Sequence, residues 1–202
     1  MAWLIYGTPL KPRYTHHFEW SGVTEEQRKA LEVGKQIELP ASGIVGRKLS
    51  NAGKLHPLPD LFKGCNAWIV CEEFKKIIDA LEPDKNQFLP VRLLDEIEKE
   101  VQRRYYLMNV TEMNETLDLQ KSYVHSNWVE AKTQSGEMKR VQSWHLDPMP
   151  APLFADKSQV AGKHLWRGSK SFVRYMFFSD ALMKCVKKAR LKELRAYPVT
   201  EE

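Results

Sequence analysis

Apolar residues recur at helical spacing in two widely separated stretches of the chain. In "WIVCEEFKKIIDAL" (68–81), Phe74, Ile77, Ile78 and Leu81 fall at i, i+3, i+4 and i+7 behind an apolar run of strand character. In "MFFSDALMKCVKKA" (176–189) the pattern returns, and the two stretches superpose without a gap at an offset of 108. Cys71 then falls on Ser179, the four apolar positions fall on Leu182, Cys185, Val186 and Ala189, and "FLPV" falls on "AYPV". Each stretch predicts a strand, a helix N-cap, an amphipathic helix, a loop and a strand carrying Pro-Val. Ser179 is a good N-cap, because its hydroxyl can accept from the free N–H groups of the first turn. Cys71 is a poorer acceptor, so the first of the two helices has to rely more on packing. Glu72 and Asp180 suit the positive ends of the helix dipoles. Identities are few (Lys76 with Lys184, Pro90 with Pro198, Val91 with Val199), and either shared physics or an internal duplication would write them. The doubled unit is scaffold: it holds no acid–base pair, Gly-rich phosphate loop or nucleophile elbow.

Around these units the pattern predicts further elements. "AWLIY" reads as a short strand and "RYTHHFEW" as another. "TEEQRKALEVG" predicts a helix opened by a capping box of Thr24 and Gln27 and stopped at Gly34. Residues 40–60 are rich in proline and glycine and read as a loop, which divides the chain into an N-terminal segment, 1–57, and a main domain, 58–202. "QFLPV" predicts a strand near a sheet edge, because Pro90 cannot donate to a ladder. "LLDEIEKEVQRR" fits either helical turns or a charged hairpin. "YYLMNV" predicts a buried strand, and "SYVHSNWVEAK" with "EMKRVQSWHLD", joined by "TQSG", a β-hairpin. "KHLWRG" and "FVRYMFF" read as strands, followed by a helix over 180–190 and the strand "RAYPV". The fold class expected is α+β, a mixed or antiparallel sheet with a few amphipathic helices and two similar strand–helix–strand units.

Composition narrows the function classes. Apolar residues make up 43% and charged residues 28%, ordinary globular values. The opening "MAWLIYGTPLKPR" runs from apolar to basic, the reverse of a signal peptide, and no stretch reaches the roughly 18 apolar residues of a membrane span. A cytoplasmic protein is expected. Cys65, Cys71 and Cys185 are odd in number and form no CxxC, which points to free thiols. The net charge of +5 is uneven: residues 121–202 hold 15 Lys and Arg against 8 Asp and Glu, while residues 1–120 carry −2. A basic half suits an acidic partner, a nucleic acid or simply a solvated surface.

Candidate chemistry is sparse. His16 and His17 are adjacent, so on a strand they face opposite ways. His56, His125, His145 and His164 lie in separate segments, and none stands at i, i+4 on a helix. No catalytic residue, metal ligand or cofactor is expected. The segment 163–175, "KHLWRGSKSFVRY", interleaves Lys163, Arg167, Lys170 and Arg174 with Trp166, Phe172 and Tyr175, a mix that could stack bases beside phosphates. Strand alternation accounts for the same spacing, and no nucleic-acid-binding module accompanies it.

The ordered motifs "CNAWIVCEEFKKIIDALEPDKNQFLPVRL", "YYLMNV", "LDLQKS", "KHLWRG" and "MFFSDALMKCVKKARLKELRAYPV" resemble the eleventh numbered immunity family of bacterial polymorphic toxin systems. The resemblance covers roughly residues 58–200. Cys71 stands where the family usually has Ser, and the stretch between Arg92 and Tyr105 is more charged than the pattern. The resemblance implies a protein without catalysis that binds a cognate toxin encoded nearby, a type VI or Rhs-type effector and often a nuclease, and occludes it. Interfaces enrich Trp and Arg, so Trp128, Trp144, Trp166 and Arg167, outside the doubled scaffold, are the first candidates for the toxin contact.

Overall fold

The computed structural model describes residues 1–6, 18–48, 58–65, 67–132, 137–145, 152–169, 172–173, 175–192 and 194–202. Residues 13–17 of the strand expected over 13–20, with His16 and His17, and the loop residues around His56 lie outside them, while residues 18–20 fall in the observed strand Phe18–Ser21. The elements in chain order are β1 (Ala2–Tyr6), β2 (Phe18–Ser21), α1 (Glu25–Glu32), β3 (Ile44–Lys48), β4 (Leu61–Gly64), β5 (Ala67–Cys71), α2 (Glu72–Leu81), β6 (Gln87–Leu94) and β7 (Tyr105–Asn109). They continue with β8 (Met113–Asn114), β9 (His125–Lys132), β10 (Met138–His145), β11 (Phe154–Ala155), α3 (Lys157–Val160), β12 (Leu165–Gly168), β13 (Met176–Ser179), α4 (Asp180–Lys188) and β14 (Arg195–Glu201). The class is α+β, with mixed, largely antiparallel sheets. Among the described residues no helix is long and apolar enough to cross a membrane.

Two six-stranded sheets carry the fold, ordered β2-β3-β6-β7-β5-β4 and β11-β14-β1-β13-β12-β8. The two matching stretches sit at the same place in each. In the first sheet β7 lies between β5 and β6, and Tyr105 faces Cys71 on one side and Val91 on the other. In the second, β1 lies between β13 and β14, and Ala2 faces Ser179 and Val199. Both partners shift by the same 108 positions that align the sequences, and the register holds along the strands: Tyr106 faces Val70 and Pro90, and Trp3 faces Phe178 and Pro198. The outer neighbours correspond as well. β4 pairs antiparallel with β5 as β12 does with β13, and β3 pairs parallel with β6 as β11 does with β14.

This pairing changes two expectations. The strands of residues 1–57 are part of both sheets: β1 is central in one, and β3 lies against β6 in the other. The stretch 40–60, read as a loop, contains β3, whose alternation around Gly46 is short. β6, expected near an edge, is interior, because β3 covers it from Val91 to Leu94. Pro90 lies just before that coverage begins, is exposed, and faces Tyr106 of β7 on the other side.

Local chemistry explains the helices. Thr24 Oγ1 accepts from the Gln27 amide at 3.2 Å and Gln27 Oε1 accepts from the Thr24 amide at 3.0 Å, the reciprocal capping box. Gly34, at φ +69°, ends the run in the left-handed region. Ser179 Oγ accepts from the Leu182 amide at 3.1 Å. Cys71 makes no capping bond, and α2 is held by its buried face, Phe74 and Ile78. Phe74 meets Phe178 of β13 at 5.6 Å between ring centroids. One core joins both sheets through these helices, with Ile78, Val186, Met183, Leu107 and Met176 all buried in it. A smaller core on the far face of the second sheet collects Leu4, Trp166, Phe177, Leu153 and Val160. Substituting Ser179→Ala removes the α4 cap and is expected to cost about 1 kcal/mol, read as a lowered midpoint in urea. An unchanged midpoint would show that α4, like α2, is held by packing alone.

The charged stretch after β6 resolves as a tight turn. The Asp95 carboxylate accepts from the Ile97 and Lys99 amides at 2.9 Å each, and Leu94 bridges to Glu100. Of the segment "FVRYMFF", expected to be strand, only the last three residues are in β13, which begins at Met176; Phe172 is in a helical turn, and Val173 and Tyr175 are outside the strand.

Candidate functional site

The hairpin predicted around "TQSG" is present as β9 and β10, paired from His125–His145 to Lys132–Met138. It forms a two-stranded sheet of its own and touches the other described elements at most at isolated points. Its base is fixed to the second sheet. The Ser122 hydroxyl accepts from the Phe154 amide at 2.9 Å, and the Tyr123 amide donates to the Pro152 carbonyl at 3.2 Å. An isolated hairpin is marginal in water, so one kept at this length stands out as a surface element.

Alternation places Trp128, Glu130, Arg140 and Met138 on one face, and register puts position 144 on that face too, opposite Ser126. Trp128 is 58% exposed and Met138 56% exposed. The Arg140 guanidinium lies 5.5 Å from the Trp128 ring centroid, a cation–π contact. An exposed Trp beside Arg and Met is a residue mix enriched at protein interfaces. Tyr123, 55% exposed, adds an aromatic ring near the hairpin base.

The other two candidates lie elsewhere. Trp166 is 1% exposed; its Nε1 donates to Thr116 Oγ1 at 2.7 Å and its ring stacks on Phe177 at 5.8 Å. Arg167 is 4% exposed, and its Nη1 donates to the carbonyls of Leu31 and Glu32 at 2.8 and 3.0 Å, closing the C-terminus of α1. Substituting either would perturb the free fold, so neither belongs with the exposed hairpin residues. The cause is the pairing of β12 between β13 and β8, which no local pattern announces. The same burial weakens the nucleic-acid alternative for 163–175. Trp166 and Phe172 face inward, and Lys163 is engaged by the Gln159 carbonyl and Asn114. Lys170 and Arg174 lie outside the described residues.

Sequence reasoning missed one pair of chemical interest. His164 Nδ1 and Ser179 Oγ are 2.8 Å apart. Ser179 Oγ already caps α4, and no described carboxylate orients the imidazole side chain. Glu82 instead accepts from the backbone amides of His164 and Leu165. Nucleophilic catalysis needs an oriented base, and this contact is accounted for by the cap. Cys71, in the register position of Ser179, is fully buried, and burial pushes its thiol up to about 11. Such a thiol is not an activated nucleophile. Nearby, Arg103 bridges Asp60 and Glu73, and the Tyr105 hydroxyl donates to the carbonyls of Leu58 and Pro59. This group ties the start of β4 to the sheet. Among the described residues no cluster of three His, Cys, Asp or Glu side chains could hold a metal ion.

A cleft of about 520 Å³ opens between the two sheets. Trp68, Tyr175 and Val173 line it together with exposed Lys63 and Glu32 and buried Arg167. Lys63 stands 5.2 Å over the Trp68 ring.

Compared with known protein families, the chain matches the model of an immunity protein family, Imm11, over residues 12–201. No curated protein matches it.

Proposed function

The chain belongs to the Imm11 immunity protein family, and from that premise we propose that it neutralises one cognate toxin by binding it directly in the cytoplasm, without catalysis or cofactor. The family match over nearly the whole chain carries this reading. The hairpin supports a contact surface: it forms a sheet of its own and carries Trp128, Arg140 and Met138 on one face. An arm of this kind can enter the active-site cleft of an enzyme, so occlusion is the mechanism we favour. The toxin we propose is one delivered by a type VI or Rhs-type system, with nucleases the leading activity, as the sequence resemblance implies. The basic half of the chain suits an acidic surface on that toxin.

Co-expression tests the reading. The toxin domain encoded beside this chain should kill a test cell alone, spare it when this chain is present, and co-purify with it at one-to-one stoichiometry. A resident inhibitor works at low concentration, so the dissociation constant should be of roughly nanomolar order. Death despite expression of this chain, or survival without a complex, would refute direct neutralisation.

A further inference from the structure

The cleft between the sheets has one feature that the fold does not use. Arg167 has five N–H donors, and both on Nη1 are committed to the α1 carbonyls. The remaining edge, Nε and Nη2, has no acceptor among the described residues, although the side chain is 4% exposed and lines the cleft. No described carboxylate forms an ion pair with it. The Glu32 carboxylate, exposed at the same cleft, acts on it only through space, and the charge is disfavoured chiefly by burial, which lowers the guanidinium to about 10. A guanidinium edge that the described residues leave open is available to a ligand of the cleft it lines.

The register explains why a second cation stands nearby. Lys63 pairs with Trp68 on β4 and β5, and Arg167 pairs with Met176 on β12 and β13, which is the same place in the two corresponding sheets. The cleft thus takes one cation from each half. With Glu32 it carries a net charge of +1, and its lining includes the aromatic side chains of Trp68 and Tyr175.

We propose that this cleft is a carboxylate-binding site, in which the Nε–Nη2 edge of Arg167 takes the carboxylate and Trp68 and Tyr175 hold an apolar body attached to it. A carboxylate matches the guanidinium fork with two parallel bonds, as a single-point anion does not. The volume suits a group of amino-acid to small-ligand size. The carboxylate can come from an acidic side chain of the bound toxin or from a free organic acid. The first source rests on the immunity reading; the site itself does not.

The test uses the full chain and phenylacetate as probe, with phenylacetamide as its uncharged isostere and inorganic phosphate as a compact anion. Titration calorimetry should show phenylacetate binding at least 10-fold more tightly than phenylacetamide and more tightly than phosphate. Val173→Glu, which places a tethered carboxylate in the cleft wall, should abolish probe binding while keeping a cooperative melt. Lys63→Gln should weaken it severalfold. Arg167→Lys, which keeps the charge and loses the fork, should weaken phenylacetate more than phosphate. Equal binding of phenylacetate and phenylacetamide, or no phenylacetate binding at about 10 mM, would overturn the site and mean that water alone completes Arg167. A competition arm separates the sources. Displacement of phenylacetate by the neighbouring toxin assigns the carboxylate to the toxin, and simultaneous binding assigns it to a free acid. If no toxin complex forms but the probe still binds, the immunity reading fails and the site stands.

Discussion

Placing Asp at position 78 abolishes cooperative folding of the chain. Ile78 is fully buried on α2, in the core that also holds Phe74, Phe178 and Val186. A carboxylate there has no partner and either stays charged in an apolar site or takes up a proton at a large cost. Either way the penalty is on the order of 4–5 kcal/mol or more, against a total stability of roughly 5–15 kcal/mol. Val186→Asp on α4, at the position 108 residues later, should act the same way, since Val186 is 2% exposed in the same core. Ile78→Val is the control, with an expected loss of about 1 kcal/mol. Circular dichroism melts decide the matter. A cooperative transition within a few degrees of the parent for either Asp variant would show that the helices do not share one core.

Removing Trp128 and Arg140 together should have the opposite profile: an unchanged melt and a lost partner. Both side chains lie on the hairpin face, and Trp128 is largely exposed, so truncation to Ala leaves the two cores untouched. If the hairpin is the toxin contact, a Trp–Arg pair at its centre is expected to carry about 100-fold or more of the affinity. Protection in the co-expression assay should fail with it. Trp166→Ala gives the informative comparison. It should lower the melting midpoint through lost packing against Phe177 and the lost bond to Thr116, whatever it does to binding. A double variant at 128 and 140 that binds the toxin as tightly as the parent would move the interface off the hairpin.

Short-range chemistry was readable from the sequence. The capping box at Thr24, the Gly34 stop, the contrast between Ser179 and Cys71 as caps, and the helical stripe from Phe74 to Leu81 all depend on residues within one or two turns. The hairpin was readable for the same reason, since two alternating strands and a polar turn are contiguous. What failed was strand neighbourhood. Pro90 suggested an edge because its strand was judged without β3, which arrives from more than forty residues away. Arg167 and Trp166 looked like surface anchors because nothing near them in sequence shows α1 on one side and Thr116 on the other. The contact of His164 with Ser179 and the open fork of Arg167 are likewise products of pairing between distant segments. The offset of 108 was visible as a pattern, but its meaning, a common register around β7 and β1, required the middle strand of each sheet to be known.

The position of β1 sets an order of assembly on the ribosome. β2 to β7 can close the first sheet once residue 109 has emerged, apart from contacts made by later segments. β1 is synthesised before any of them, yet Ala2 pairs with Ser179 and Val199. Its two edges stay unpaired through most of translation, and an unpaired apolar strand is a hazard for wrong association. Closing so long a loop is also slow. A nascent chain therefore cannot complete its second sheet until β14 has emerged, which makes the interval between synthesis and protection a property of topology as well as of expression.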